Sequence, residues 1–71
     1  MSFSERLSKL QELRSLGALD VATATGIPKS TYYRYITGER DPKAVALISL
    51  ADFFNVSTDY LLGRTDNPTR L

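Results

Sequence analysis

Glycine and proline punctuate this chain at Gly17, Gly26, Pro28, Gly38, Pro42 and Gly63, and the stretches between them repeat apolar residues at the helical period. No run of period-two alternation bounded by turn signals appears, and every connection is short. The chain is therefore restricted to packed short helices, and the fold class is all-α. Neither an internal repeat nor a composition shift marks a second domain, so residues 1–63 read as one domain and 64–71 as a polar, flexible tail.

Five helices follow from the local signals. Ser2 and Glu5 fit a capping box, and Phe3, Leu7, Leu10 and Leu13 form a buried stripe from which Arg6, Lys9 and Glu12 are excluded, in a helix running to about Ser15. Gly17 breaks the chain before a short second helix with Val21 and Ala22 facing inward and Asp20 near its positive end; Gly26 ends it. Pro28 reopens the chain for a third helix, which Gly38 closes after Thr37. Asp41 and Pro42 read as an N-cap and a first helical residue, with Ala44, Leu47, Ile48, Ala51 and Phe54 as the stripe of a fourth helix. Ser57 caps a last short helix through Leu62, stopped by Gly63.

Composition narrows the chemistry. With 71 residues and no Cys, a small core receives no help from disulfides or thiolate metal sites. The absence of His removes the usual general base and the commonest metal ligand. The four tyrosines have no such partner to make one a nucleophile, and Asp52, Asp59 and Asp66 have no reason to converge on a metal. No catalytic residue, cofactor, metal or small-molecule ligand is expected. No apolar run approaches the roughly 18 residues of a membrane span, and Met1 to Arg6 lacks the pattern of a signal peptide. The expected location is cytoplasmic. A formal net charge of +1 says little about partners, so the placement of charge has to decide.

That placement is uneven on the third helix. At about 100° per residue, Lys29, Ser30, Tyr33, Arg34 and Thr37 share one arc, and Thr31, Tyr32, Tyr35 and Ile36 share the opposite one. The second arc suits packing. The first offers a cation, a hydroxyl, an aromatic ring and a guanidinium, groups that suit base edges in a major groove. Arg34 can pair bidentately with guanine or grip a phosphate, Lys29 can do either as a point charge, and Tyr33 can lie against a thymine methyl. Any solvated helix face carries Lys, Ser and Arg; the turn that follows sets this one apart. From Lys29 to Lys43 four cations, with Arg40 and Lys43 in the turn, stand against Glu39 and Asp41. Arg40, Lys43 and the backbone N–H groups at the start of helix four suit phosphates.

Gly26-Ile27-Pro28 between two short helices, then Tyr35 to Pro42, then Leu50 to Arg64, resemble the phage lambda repressor/Cro-like helix-turn-helix family, also called the Xre family, over nearly the whole chain. The resemblance implies a compact five-helix domain whose helix-turn-helix is helices two and three. It implies a homodimer, at least on DNA, with helix three in the major groove of a two-fold-symmetric duplex operator, acting as a transcriptional regulator of repressor type. By position, Lys29, Ser30 and Tyr33 match base-contacting places, Arg34 a place serving bases or phosphates, and Thr37 and Arg40 phosphate contacts. Two positions depart from the family. Ala18 stands where relatives carry a phosphate-gripping Gln, and Ile36 and Gln11 stand where relatives pair a Glu with a helix-one Arg.

Helix four carries a second apolar set, Ala46, Leu50 and Phe53. Either helices one and five cover it in the same core, or Leu50 or Phe53, with Leu62, forms a dimer contact. A rival to DNA binding is use of the same fold as a protein-docking module of antitoxin or anti-repressor type, with helix three unused.

Overall fold

The computed structural model describes residues 1–70 and contains five helices, α1 (Phe3–Leu13), α2 (Ala18–Thr25), α3 (Lys29–Thr37), α4 (Ala44–Phe54) and α5 (Thr58–Leu61). Their main contacts run in a closed circuit, α1 to α3, α3 to α2, α2 to α4, α4 to α5 and α5 back to α1. Leu7, Val21, Tyr32, Leu50, Phe54 and Leu61 are wholly buried, so every helix supplies the common core. Such a closed ring lets a small domain bury apolar side chains from several short helices, none of which would be stable alone.

α1 begins as the sequence predicts. Ser2 Oγ accepts from the Glu5 N–H at 3.3 Å, and the Ser2 N–H donates to Glu5 Oε1 at 3.1 Å. These bonds hold the Glu5 carboxyl below its ordinary range. The helix ends two residues early. Ser15 turns left-handed at φ 53°, and the Leu16 N–H closes on the Gln11 carbonyl at 3.0 Å. The expected stripe shifts as well: Leu13 is 70 % exposed, whereas Arg6 is 5 % exposed. α1 has neighbours on two sides, α3 and α5, so its buried arc takes in Arg6, and Leu13 lies past the last covered turn. Arg6 is kept inside by the Tyr60 ring, 3.9 Å from its guanidinium carbon, and by Asp66 at 3.2 Å. Its Nε has no partner.

α4 also departs from expectation. Asp41 and Pro42 stay in the connection, and the extended Lys43 (φ −75°, ψ 162°) precedes the first helical residue, with no side-chain cap. Leu50, Ala51 and Phe54 are its buried residues; Ala44 is exposed and Ile48 is 52 % exposed. The inner arc is therefore centred between the two apolar sets, because α2 and α5 flank the helix. Leu50 cannot serve as a dimer contact, since at 0 % exposure it has no surface to offer. Phe53 is half-buried, edge-on to Phe54 at 5.0 Å, and Leu62 is exposed.

α5 is capped by Ser57 Oγ, which accepts from the Tyr60 N–H at 3.0 Å. Within the tail, Asp66, Pro68 and Arg70 each meet the body of the domain. The Ser57 N–H donates to the Pro68 carbonyl at 3.0 Å, Asp66 meets Arg6, and Arg70 pairs with Asp52. At Gly63 the end of the domain lies against its beginning at Met1. Its φ is +78°, and a Cβ there would collide with the Met1 carbonyl oxygen. Gly63→Ala should therefore cost about 1–2 kcal/mol from the left-handed backbone, with a further loss as Met1 is pushed from the α1 cap. A thermal midpoint unchanged from wild type would contradict this placement.

Candidate nucleic-acid interface

α2 and α3 form a helix-turn-helix. Gly26 takes the left-handed conformation at φ 73°, the Ile27 N–H closes on the Ala22 carbonyl at 3.1 Å, and Pro28 starts α3. α3 spans the residues the sequence predicts. Tyr32 and Tyr35 are buried, Thr31 and Ile36 are half-buried, and Lys29, Ser30, Tyr33, Arg34 and Thr37 are exposed together on the outer arc. Tyr35 meets Phe3 of α1 edge-on, with centroids 5.8 Å apart. Lys29 Nζ stands 6.0 Å from the Tyr33 ring centroid, at the outer limit of a cation–π contact.

The turn after α3 is tied to the carbonyls of Tyr35 and Arg34, the first through the Gly38 N–H at 3.3 Å. Arg34 O accepts from the N–H of Glu39 at 2.9 Å and of Arg40 at 3.3 Å, so the exposed Arg40 side chain is carried on a turn fixed to the outer helix face. Thr37 Oγ1 also donates to that carbonyl, at 3.2 Å. Its hydroxyl proton is thus engaged within the helix and has to rotate away before it can reach a phosphate. Lys43 is exposed immediately before α4.

Two electrostatic features single out this part of the surface. Among the described residues, the carboxylate-paired cations are Arg6, Arg64 and Arg70, bound to Asp66, Asp59 and Asp52. Six cations have no such partner: Lys29, Arg34, Arg40 and Lys43, which lie together in this region, and Lys9 and Arg14 on and beside α1, where Arg14 instead donates to the Phe54 carbonyl. The helix N-termini divide in the same way. α1 and α5 are capped by Ser2 and Ser57, and in α2 Asp20 Oδ2 accepts the Gly17 N–H at 2.9 Å. α3 and α4 have neither a side-chain cap nor an acidic residue in the first turn. Their leading N–H groups and positive dipole ends are open to an anion.

Ala18, the first residue of α2, is half-buried against the core. It offers no polar group, and Asp20 already occupies the N-terminal amide. At the other departing positions, Ile36 packs on the core, and Gln11 Oε1 accepts from the Tyr32 hydroxyl at 2.7 Å. Sequence reasoning missed that bond because its partners are 21 residues apart. A shallow hollow elsewhere, between α4, α5 and the tail, is lined by Ile48, Ala51, Val56, Ser57, Thr58 and Arg70 among others. It shares no residue with the segment from Lys29 to Lys43.

The comparisons with known proteins agree with this geometry. A helix-turn-helix family model matches residues 7–61. The chain is 36 % identical over 66 residues to the HTH-type transcriptional regulator YobD of Bacillus subtilis, covering 93 % of this chain and 59 % of that protein. It is 42 % identical over 60 residues to the HTH-type transcriptional regulator AnsR of the same organism, covering 84 % and 52 %. The crystal structure of a transcriptional regulator from Listeria innocua superposes with a TM-score of 0.80 at 34 % identity, over 87 % of this chain and 58 % of that one. The chain thus spans little more than half the length of these relatives. With the match extending from α1 to the end of α5, and with α2 and α3 joined as described, the chain belongs to the helix-turn-helix family and forms an Xre-like domain.

Proposed function

We propose that the chain is a cytoplasmic, sequence-specific DNA-binding transcriptional regulator of repressor type. α3 enters the major groove, with Lys29, Ser30, Tyr33 and Arg34 at base edges and Thr37, Arg40 and Lys43 on phosphates. The observation that carries this reading is the coincidence of four of the six carboxylate-free cations with the two uncapped helix N-termini, on α3, its turn and the start of α4. Backbone contacts hold the domain in register, and the outer arc of α3 reads sequence. Exposed Leu62 and the accessible edge of Phe53 are the remaining candidates for a homodimer contact on a two-fold-symmetric operator. The names of the relatives, HTH-type transcriptional regulators, support the same role.

Titration with duplex DNA over a series of salt concentrations tests the reading. Each phosphate neutralised contributes about 0.9 to the slope of log affinity against log salt, so a steep loss with rising salt is expected, together with preference for one sequence. A docking module that leaves α3 unused shows neither. Arg40→Ala should weaken all duplexes alike and flatten the slope by about one unit per bound copy; loss confined to one base pair would remove Arg40 from the phosphate set.

A further inference from the structure

Tyr32 is wholly buried in the middle of the inner face of α3, and its hydroxyl donates to Gln11 Oε1 on α1 at 2.7 Å. Burial pushes the phenol above its ordinary value, so it remains a protonated donor throughout the neutral range. Among the described residues this is the one side-chain hydrogen bond that joins α3 to another helix. The other observed α1–α3 anchor, Tyr35 against Phe3, is an aromatic edge contact. Such contacts are not tied to one donor and one acceptor atom, whereas a hydrogen bond is, and it weakens steeply once its donor angle falls below about 120°. Rotation of α3 about its own axis is therefore opposed most sharply at Tyr32.

That rotation matters at the outer arc. Side chains reach about 5–6 Å from a helix axis, so a turn of about 10° moves their ends by about 1 Å. A hydrogen bond to a base edge tolerates little of that. Tyr33 follows Tyr32 directly, so a shift at one is delivered to the other through a single peptide unit.

We infer that Gln11, acting through Tyr32, is a positioning residue for sequence recognition: their hydrogen bond sets the rotation of α3 and so determines which base edges Lys29, Ser30, Tyr33 and Arg34 reach, although Gln11 touches no DNA. The inference rests on the proposed entry of α3 into the major groove.

The test compares the wild type with Tyr32→Phe, Gln11→Leu and Gln11→Glu against a duplex selected by the wild type and its full set of single-base-pair variants, below the thermal midpoint of every protein. Tyr32→Phe keeps the ring and Gln11→Leu the approximate volume, and both lose the bond; Gln11→Glu keeps an acceptor oxygen. The first two should narrow the affinity spread between the selected site and its variants by about threefold to tenfold, while binding to a random duplex at low salt stays unchanged. Gln11→Glu should retain the wild-type spread. A purely structural role would lower the thermal midpoint and leave the spread intact, and that result overturns the inference alone. A wild-type protein that selects no duplex overturns both this inference and the function on which it rests.

Discussion

Phe54→Ala is expected to cost about 3–5 kcal/mol. At roughly 0.05–0.15 kcal/mol per residue, a domain of this size has about 4–11 kcal/mol in total, so the variant should lose a large share of its stability and unfold at a clearly lower temperature. Phe54 is wholly buried at the C-terminal end of α4, edge-on to Phe53 at 5.0 Å, with the Arg14 guanidinium 5.6 Å above its ring. Arg14 also donates to the Phe54 carbonyl and so ties the end of α1 to the end of α4. The loss is large because α4 is held chiefly by side-chain packing: its N-terminus has no side-chain cap, and the chain has no cysteine. Truncation would leave a cavity where α4 packs on its neighbours, and short helices that depend on tertiary packing would follow it into the unfolded state. Leu13→Ala is the control. With Leu13 70 % exposed, its effect should stay within about 0.5 kcal/mol. Denaturant titration followed by far-ultraviolet circular dichroism reads both, and a Phe54→Ala loss below 1 kcal/mol would contradict the packing described.

How much of this was legible in the sequence depended on whether the signal was local. α3 was legible at both ends, because Pro28 and Gly38 each impose a backbone condition that neighbouring residues cannot change. The partition of its two faces was equally plain, since a run with tyrosines on one arc and Lys, Ser and Arg on the other has a single inward orientation. The start of α4 was not. Asp41-Pro42 has the chemistry of a helix start, yet the chain stays extended as far as Lys43. Burial on α1 and α4 was misread for one reason: a helix with neighbours on two sides buries a wider arc than one apolar stripe indicates. On α1 that takes Arg6 inside, while Leu13 lies past the last covered turn; on α4 the arc is shifted, which puts Leu50 in the core, as the first of the two readings had it, and leaves Ile48 out. A charged residue such as Arg6 becomes an interior residue only when an aromatic ring and a carboxylate from distant parts of the chain, here Tyr60 and Asp66, arrive to receive it. The same holds for Gln11 and Tyr32. The reading face was visible in the sequence, whereas the bond that orients it was not.

Tyr33→Ala should change which sequence the domain prefers while leaving its fold intact. The side chain is 45 % exposed on the outer arc of α3 and takes part in no hydrogen bond among the described residues, so its removal should shift stability by no more than about 0.5 kcal/mol. On DNA its role differs from that of Arg40. A ring laid against a thymine methyl, with a hydroxyl within reach of the backbone, gives up contact energy only where that base is present. The expected cost at a directly read base pair is about 1–3 kcal/mol, or roughly fivefold to more than a hundredfold in affinity. Lys29→Ala should resemble it in kind. Lys29 stands near the Tyr33 ring, so the two losses should be less than additive in the double variant. Selection from a random duplex pool, repeated for wild type, Tyr33→Ala and Arg40→Ala, separates the two kinds of contact. Tyr33→Ala should erase preference at one or two positions of each half-site and keep the salt slope, and Arg40→Ala should do the reverse. An unaltered consensus from Tyr33→Ala would move sequence reading off the outer arc of α3. The uncapped N-termini and free cations of that region would then account for nonspecific attachment to phosphates alone.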